Sequence, residues 1–144
     1  MLQRATSLAA LPALVSLFVT LARFFGERAE LPTTVTNIVG IFWLTLVVAI
    51  FLGLSLAGEE SPYRLLLLSL VVFALLSRIP VVVLWWITKT YGLGTHYDVF
   101  SGWGEALVGQ FFFGTLTQIV PGGLLGALMM VVKRRSRPEE ATEL

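Results

Sequence analysis

The sequence predicts an all-α integral membrane protein folded as a four-helix bundle. Hydrophobic residues make up 56% of the 144 residues, and the mean hydropathy is +0.85. Charged residues make up only 13%, whereas soluble domains carry about 25%. Four apolar stretches are long enough to cross a bilayer core of about 30 Å, which takes about 20 residues of helix. The composition therefore implies a lipid bilayer as the first partner of this chain.

The four predicted helices cover residues 7–25, 38–57, 62–87 and 106–132. Pro12 lies near the start of the first helix, where few backbone donors have intrahelical partners. Asn37 directly precedes the second, and asparagine is a common N-cap. Ser61 and Pro62 begin the third, a capping residue followed by proline at the first helical position. Each predicted boundary thus carries a local signal as well as a change in hydropathy.

Two proline sites predict interruptions of helices 3 and 4, at Pro80 and at Pro121-Gly122-Gly123. A proline lacks the backbone donor, so each one frees the carbonyl four residues earlier, at Leu76 and Thr117. One interpretation is unwound backbone at a binding site, as in transporters. The other is a pair of kinks of the kind that membrane helices tolerate. The sequence leaves both open.

The distribution of basic residues predicts that both termini are cytoplasmic. An even number of spans places the termini on one side of the membrane. That side carries six basic residues, Arg4, Arg64, Lys133, Arg134, Arg135 and Arg137, and the other carries Arg23, Arg28 and Lys89. Loops rich in Lys and Arg stay inside. We therefore expect one transmembrane domain over residues 1–132 and a cytoplasmic tail over 133–144, in an inner or plasma type of membrane.

Arg78 is the residue whose position is most costly in free energy unless the protein compensates its charge. It lies nine residues before Ile87, which at about 1.5 Å per residue places it about 13 Å from the end of its predicted helix. An arginine facing lipid near the bilayer centre costs roughly 3 kcal/mol on insertion scales. We therefore expect Arg78 to face protein or a wet cavity.

The fourth predicted helix offers a polar stripe at the depth of Arg78. Its members are Gln110, Gly114 and Gln118, joined by Thr115 and Thr117. Amide and hydroxyl oxygens accept hydrogen bonds but do not neutralise a charge, and the predicted spans contain no Asp or Glu. The sequence predicts that the guanidinium reaches Thr115, Gln118 or a carbonyl freed by a proline. Arg78 is then either a structural cation or a recognition site for a ligand, lipid or partner acid.

The longest connection, residues 88–105, which we call the outer loop, is the other candidate site. Its candidate residues are His96, Tyr97, Asp98 and Glu105. One imidazole and two carboxylates without a recognised ligand spacing do not predict a metal site. Acid/base chemistry by His96 and Asp98 requires a turn that brings them together. The simpler interpretation is an interfacial loop whose aromatic rings lie at headgroup level, with Asp98 or Ser101 capping the last helix.

The function classes that remain are mostly non-catalytic. The chain has no phosphate-binding glycine loop, no nucleophile elbow, no paired metal-binding histidines and no cysteine, so no cofactor is predicted. Its basic cluster follows an apolar helix, which favours membrane anchoring over nucleic-acid binding. We expect an accessory or assembly subunit of a larger membrane complex. One alternative is an oligomeric transporter or lipid- or anion-binding protein that uses Arg78 and the polar stripe of the fourth helix. The other is a membrane enzyme or redox protein that uses His96, Tyr97 and Asp98.

Close packing of helices is a further expectation. Small residues recur four positions apart near the end of the fourth helix, at Gly122, Gly123, Gly126 and Ala127. Small residues let helix backbones approach each other in membranes. The stripe therefore predicts a contact either within the chain, with another copy, or with a membrane-protein partner.

Overall fold

A computed structural model describes residues 1–136 of the chain, so Arg137 and the rest of the predicted tail lie outside the described residues. The described part is helical and contains no strand. Its elements are α1 Leu2–Arg28, α2 Thr33–Ile38, α3 Ile41–Leu56, α4 Pro62–Tyr91, α5 Trp103–Leu107, a π-helical segment Val108–Gly114, and α6 Thr115–Arg135.

Four helical stretches are long and apolar enough to cross a membrane: residues 2–28, 33–56, 62–91 and 103–135. This confirms the prediction of an all-helical chain with four candidate spans. Most of the helices extend beyond the apolar stretches, because backbone hydrogen bonding continues through polar residues at the helix ends. The last helix includes Lys133 to Arg135 for this reason, although the sequence places them in the tail.

The predicted interruptions at Pro80 and at Pro121-Gly122-Gly123 are wrong. Helix α4 continues through Pro80, and α6 continues through all three residues of the other site. A proline removes one hydrogen bond, but the bonds on either side hold the helix. Unwinding would also expose further backbone groups to an apolar environment, where each costs several kcal/mol. The irregular backbone lies earlier, in the π-helical segment.

The bundle has two unlike ends. We call the end where α1 begins and α6 ends the terminal side, and the end that carries the outer loop the loop side. Helix α1 packs on α4, α4 on α6, and α6 on α3, with a further contact between α3 and α4. Helix α1 contacts α3 only slightly, and α3 does not pack closely against the π-helical segment. The helices thus leave a space among themselves on the loop side.

Close packing on the terminal side depends on glycines. A Cβ added at Gly53 of α3 would lie 2.3 Å from the carbonyl oxygen of Gly126, and one at Gly122 would lie 3.2 Å from Thr45 Cγ2. Gly122 and Gly126 are buried by these contacts within the chain. Of the predicted self-association stripe, only Gly123 and Ala127 are partly exposed. Contact with a partner through these two residues stays a prediction.

Candidate functional site

Arg78 faces the fourth helix, and each of its nitrogens donates a hydrogen bond to it. Nε donates to Gln118 Oε1 at 3.1 Å, Nη1 to Gln110 Oε1 at 3.1 Å, and Nη2 to the Gly114 carbonyl at 2.6 Å. All three acceptors are neutral. No carboxylate oxygen of residues 1–136 lies within 4.0 Å of this guanidinium. The three neutral acceptors therefore bind the guanidinium by hydrogen bonds but do not neutralise its charge.

Two N–H groups of Arg78 remain beyond these three bonds. A guanidinium carries five donors in a planar fork, and the bonds to Gln118, Gln110 and Gly114 use three of them. The remaining two belong to the terminal nitrogens Nη1 and Nη2. Terminal guanidinium nitrogens are the atoms that bind carboxylate and phosphate oxygens in pairs.

The π-helical segment brings the Gly114 carbonyl and the Gln110 side chain to Arg78. Such segments are rare and occur often at functional sites. Glycine at 114 leaves room for the guanidinium in this position, because a Cβ there would lie 2.9 Å from Arg78 Cζ and would displace it. The carbonyl that Arg78 reaches thus belongs to the π-helical segment, and not to a residue freed by a proline. Thr115 does not bond to Arg78 either, since its buried Oγ1 has no hydrogen-bond partner among the described residues.

Gln118 connects three helices behind the guanidinium. It is 1% exposed, accepts from Arg78 Nε, and donates through Nε2 to Thr45 Oγ1 of α3 at 2.9 Å and to Ser77 Oγ of α4 at 3.3 Å. A buried amide whose donor and acceptor are both used fixes its own orientation. Gln118 therefore holds Arg78 in one position.

Arg78 lines a cavity of about 390 Å³ on the loop side of the bundle. The cavity lies among α1, α3, α4 and the fourth helix, beneath the outer loop. Its polar lining includes Thr20, Arg23, Asn37, Arg78, Gln110 and Thr117. Two of these residues are arginines, and no Asp or Glu of the described residues lines the space. Arg23 forms an ion pair with Glu27, which is not among the lining residues, so Arg78 is the lining arginine without an acidic partner among residues 1–136.

Arg23 is the second cation of the cavity and is held more loosely than Arg78. Its Nε lies 3.3 Å from Glu27 Oε1, and its Nη2 lies 3.3 Å from Asn37 Oδ1. Both distances are at the long end for hydrogen bonds. A Cβ at Gly40 would lie 3.3 Å from Arg23 Nη1, so this glycine gives the guanidinium room. Arg23 thus has one ion pair, with Glu27, and one amide contact, with Asn37.

The outer loop covers the cavity through His96 and Tyr97. His96 Nδ1 lies 2.5 Å from Glu27 Oε1, and the His96 backbone N–H donates to Glu27 Oε2 at 3.1 Å. The Tyr97 hydroxyl donates to the Thr20 carbonyl at 3.2 Å. Burial raises the pKa of Tyr97, which keeps the phenol neutral. The loop is thus attached to α1 at two neighbouring residues.

Asp98 and Glu105 lie away from the cavity. Asp98 Oδ1 accepts from Lys89 Nζ at 3.1 Å. Glu105 Oε2 accepts from the Ser101 backbone N–H at 3.0 Å and from its hydroxyl at 2.7 Å. Neither acid forms an ion pair with Arg78 or His96. The acidic partner of His96 is Glu27, so the proposed pair of His96 with Asp98 does not form. Within residues 1–136, no three His, Asp or Glu side chains are placed to hold a metal ion.

The sequence did not single out Arg23, Asn37, Thr20 or Glu27 as site residues. The sequence indicates Arg23 only as a charge that orients the chain, and Asn37 only as a helix cap. A signal was present, because Arg23 falls inside the first apolar stretch, three positions from Thr20. That spacing puts both residues on one helical face. The spacing does not predict which helix or loop packs against the face that carries Arg23 and Thr20.

The chain matches no protein-family model, no curated protein and no solved structure. Two guanidiniums and the amide N–H groups of Asn37 and Gln110 around one space can hold an oxyanion by charge and by hydrogen bonds. The hydroxyls of Thr20 and Thr117 already donate to the carbonyls of Ser16 and Gly114.

Proposed function

We propose that this protein is a non-catalytic integral membrane protein that binds an anionic ligand, carrying a phosphate or carboxylate group, in the cavity between Arg23 and Arg78. The observation that carries the proposal is that Arg78 lines the cavity with two N–H donors beyond its three bonds and without a carboxylate within 4.0 Å among residues 1–136, while Arg23 lines the same cavity. An anion there would supply the counter-charge that Arg78 lacks.

The local energetics support binding in addition to a structural role. A hydrogen bond to a charged group contributes about 1.5–3 kcal/mol, so the three bonds of Arg78 are enough to keep it in place. Its two remaining donors contribute nothing to that task. An oxyanion bound to them would be held in a low-dielectric environment, where charge-assisted hydrogen bonds are stronger than in water.

The sequence-based expectation of an accessory or assembly subunit stays a prediction. Arg78 has three partners within the chain, so it does not require an acid from another subunit. Purification in mild detergent separates the two functions. A stable heteromeric complex would favour the subunit, and a protein that retains or takes up an anion without a partner would favour the proposal.

Thermal unfolding of the delipidated protein tests anion binding. Inorganic phosphate should raise the melting temperature relative to chloride at equal ionic strength, because a ligand of the folded state stabilises by about 2.7 kcal/mol at a concentration of 100 Kd. Arg78→Gln should abolish the effect. Arg78→Leu should also abolish it and leave the protein folded, since replacing a buried ion by an apolar residue is often neutral.

Arg64→Gln provides the matched control. Arg64 is exposed on the terminal side, so its removal changes the net charge equally without altering the cavity. It should leave the response to phosphate intact. A protein that responds alike to phosphate and chloride, or whose response survives Arg78→Gln, would contradict the proposal.

Cytoplasmic termini belong to the same proposal and depend on the excess of basic residues on the terminal side. Single cysteines at Gly104 and Ser136 in this cysteine-free chain should react with impermeant reagents from opposite sides, with Gly104 outside. A Cβ at Gly104 meets nothing within 4 Å. Labelling of both cysteines from one side would contradict the four-span topology.

A further inference from the structure

The cavity is closed more firmly toward the loop side than toward the neighbouring bilayer. His96 and Tyr97 line it and are bonded to Glu27 and to the Thr20 carbonyl of α1. The ring of Tyr97 also lies 6.2 Å from that of Phe24. These contacts fasten the outer loop to α1 above the two arginines.

The opposite wall is open between α3 and the fourth helix. The two helices contact each other on the terminal side, but α3 does not pack closely against the π-helical segment. Phe42 and Trp43 at the start of α3 line the cavity and are 45% and 54% exposed. Thr117 lines the cavity from the other helix and is also exposed. We call the gap between these three residues the lateral opening.

The chemistry changes along the cavity. Its inner end carries Arg78 and Gln110, whereas two of the three side chains at the lateral opening are aromatic. An exposed position on a membrane-spanning helix faces lipid. A ligand that occupies both ends is therefore polar and anionic at one end and apolar at the other. The volume of about 390 Å³ lies at the lower end of the range for small-molecule sites, so it suits a headgroup whose acyl chains stay outside.

From this arrangement, and on the basis of the function proposed above, we infer that the ligand is an anionic phospholipid. Its phosphate lies between Arg23 and Arg78, and its chains leave through the lateral opening past Phe42, Trp43 and Thr117. The lipid thus enters from the bilayer and not from the aqueous phase. Aromatic side chains at the opening suit this role, since amphipathic rings favour the membrane interface.

Native mass spectrometry of the protein from nanodiscs of mixed phosphatidylglycerol and phosphatidylcholine tests the inference. One phosphatidylglycerol should be retained in preference to phosphatidylcholine. Arg78→Gln should reduce this retention about tenfold or more, the equivalent of one lost hydrogen bond to a charged group. Inorganic phosphate should displace the lipid only at concentrations far above that of the lipid, since free phosphate gains nothing from the apolar end.

Thr117→Trp probes the lateral opening, and Leu116→Trp is its control. Both residues are exposed on one helix, but only Thr117 lines the cavity. The indole at 117 should fill the opening and reduce lipid retention about tenfold, whereas the indole at 116 should leave retention unchanged.

The outcomes separate this inference from the proposed function. If inorganic phosphate stabilises the protein but no phosphatidylglycerol is selected, the ligand is a soluble anion and the inference fails alone. Retention that is equal in Thr117→Trp and the wild type also overturns it. If neither phosphate nor phosphatidylglycerol binds through Arg78, the proposed function fails as well.

Discussion

Helix α3 and the fourth helix contact each other on the terminal side and diverge on the loop side. Where they touch, a Cβ at Gly53 would meet the Gly126 carbonyl at 2.3 Å. Where they diverge, Trp43 and Phe42 stand on α3, and the facing backbone is the π-helical segment. On the loop side, the glycine at 114 allows the Arg78 guanidinium, and not another backbone, to lie against the helix. Glycine thus allows two helix backbones to touch on the terminal side, and it allows a side-chain cation to approach the backbone on the loop side.

The two ends also differ in how they satisfy backbone and charge. On the terminal side, Lys133 Nζ donates to the Leu54 carbonyl at 2.6 Å and Arg134 Nε to the Ala57 carbonyl at 3.0 Å. These cations cover the C-terminal end of α3, where carbonyls lack intrahelical partners and the dipole is negative. Both of these cations therefore stabilise the end of a helix. On the loop side, Arg78 and Arg23 face a space.

The largest effect should come from Gly53→Ala, which tests whether the terminal side depends on backbone contact. The new methyl group would overlap the Gly126 carbonyl, so α3 and α6 must separate. We expect the free energy of unfolding to fall by about 1–3 kcal/mol, the usual cost of overpacking. Unfolding in mixed detergent micelles, followed by circular dichroism, measures the change.

Gly123→Ala is the control for Gly53→Ala. A Cβ at Gly123 meets nothing within 4 Å, and alanine favours a helix over glycine by about 1 kcal/mol. Gly123→Ala should therefore leave stability unchanged or raise it. Equal losses of stability in the two variants would show that any glycine-to-alanine change destabilises these helices. The contact between α3 and α6 would then not be the cause.

The sequence predicted the four helical spans because hydropathy and length determine them. It predicted the contact of Arg78 with Gln118 because the depth of Arg78 and the spacing of the polar residues follow from regular helix geometry. It did not predict the continuity of helices α4 and α6 through Pro80 and Pro121, since neighbouring hydrogen bonds outweigh the local effect of proline. It also missed Arg23 and the π-helical segment. Both depend on which helices pack together, and no local pattern in the sequence contains that information.

Gln118→Leu should have the next largest effect, because Gln118 joins both ends through α3, α4 and α6. The change leaves Arg78 Nε and Ser77 without this partner. We expect a loss of about 1–3 kcal/mol in the free energy of unfolding, the cost of an unsatisfied buried group.

Combination with Arg78→Leu sharpens that result. Replacing both members of a buried pair by apolar residues is often close to neutral, so the double variant should recover most of the lost stability. A double variant as unstable as the sum of the two single changes would mean that Gln118 acts through Thr45 and not through Arg78.

Gly114→Ala should change ligand binding more than stability, and it tests the loop side directly. The methyl group would displace the Arg78 guanidinium from the Gly114 carbonyl. Loss of this positioning should weaken the response to inorganic phosphate about tenfold, equivalent to about 1.4 kcal/mol. Gly104→Ala, which adds a methyl group in open space, should leave the response unchanged. Equal binding by both variants would contradict the positioning role of Gly114.

The smallest effect concerns His96 and the attachment of the loop. Burial lowers the pKa of His96, although the hydrogen bond with Glu27 opposes this. Protonation is therefore less favourable in the folded than in the unfolded protein, where the pKa is about 6.5. The stability linked to His96 is complete above that value and is lost as the pH falls through the folded pKa.

His96→Gln should remove this part of the pH dependence. Between pH 7 and pH 5, the melting temperature of the wild type should fall more steeply than that of the variant, since the carboxylates titrate in both. The opposite sign is physically meaningful. If the wild type gains stability relative to His96→Gln as the pH falls, then attraction between protonated His96 and Glu27 outweighs burial, and acid would fasten the outer loop over the cavity instead of loosening it.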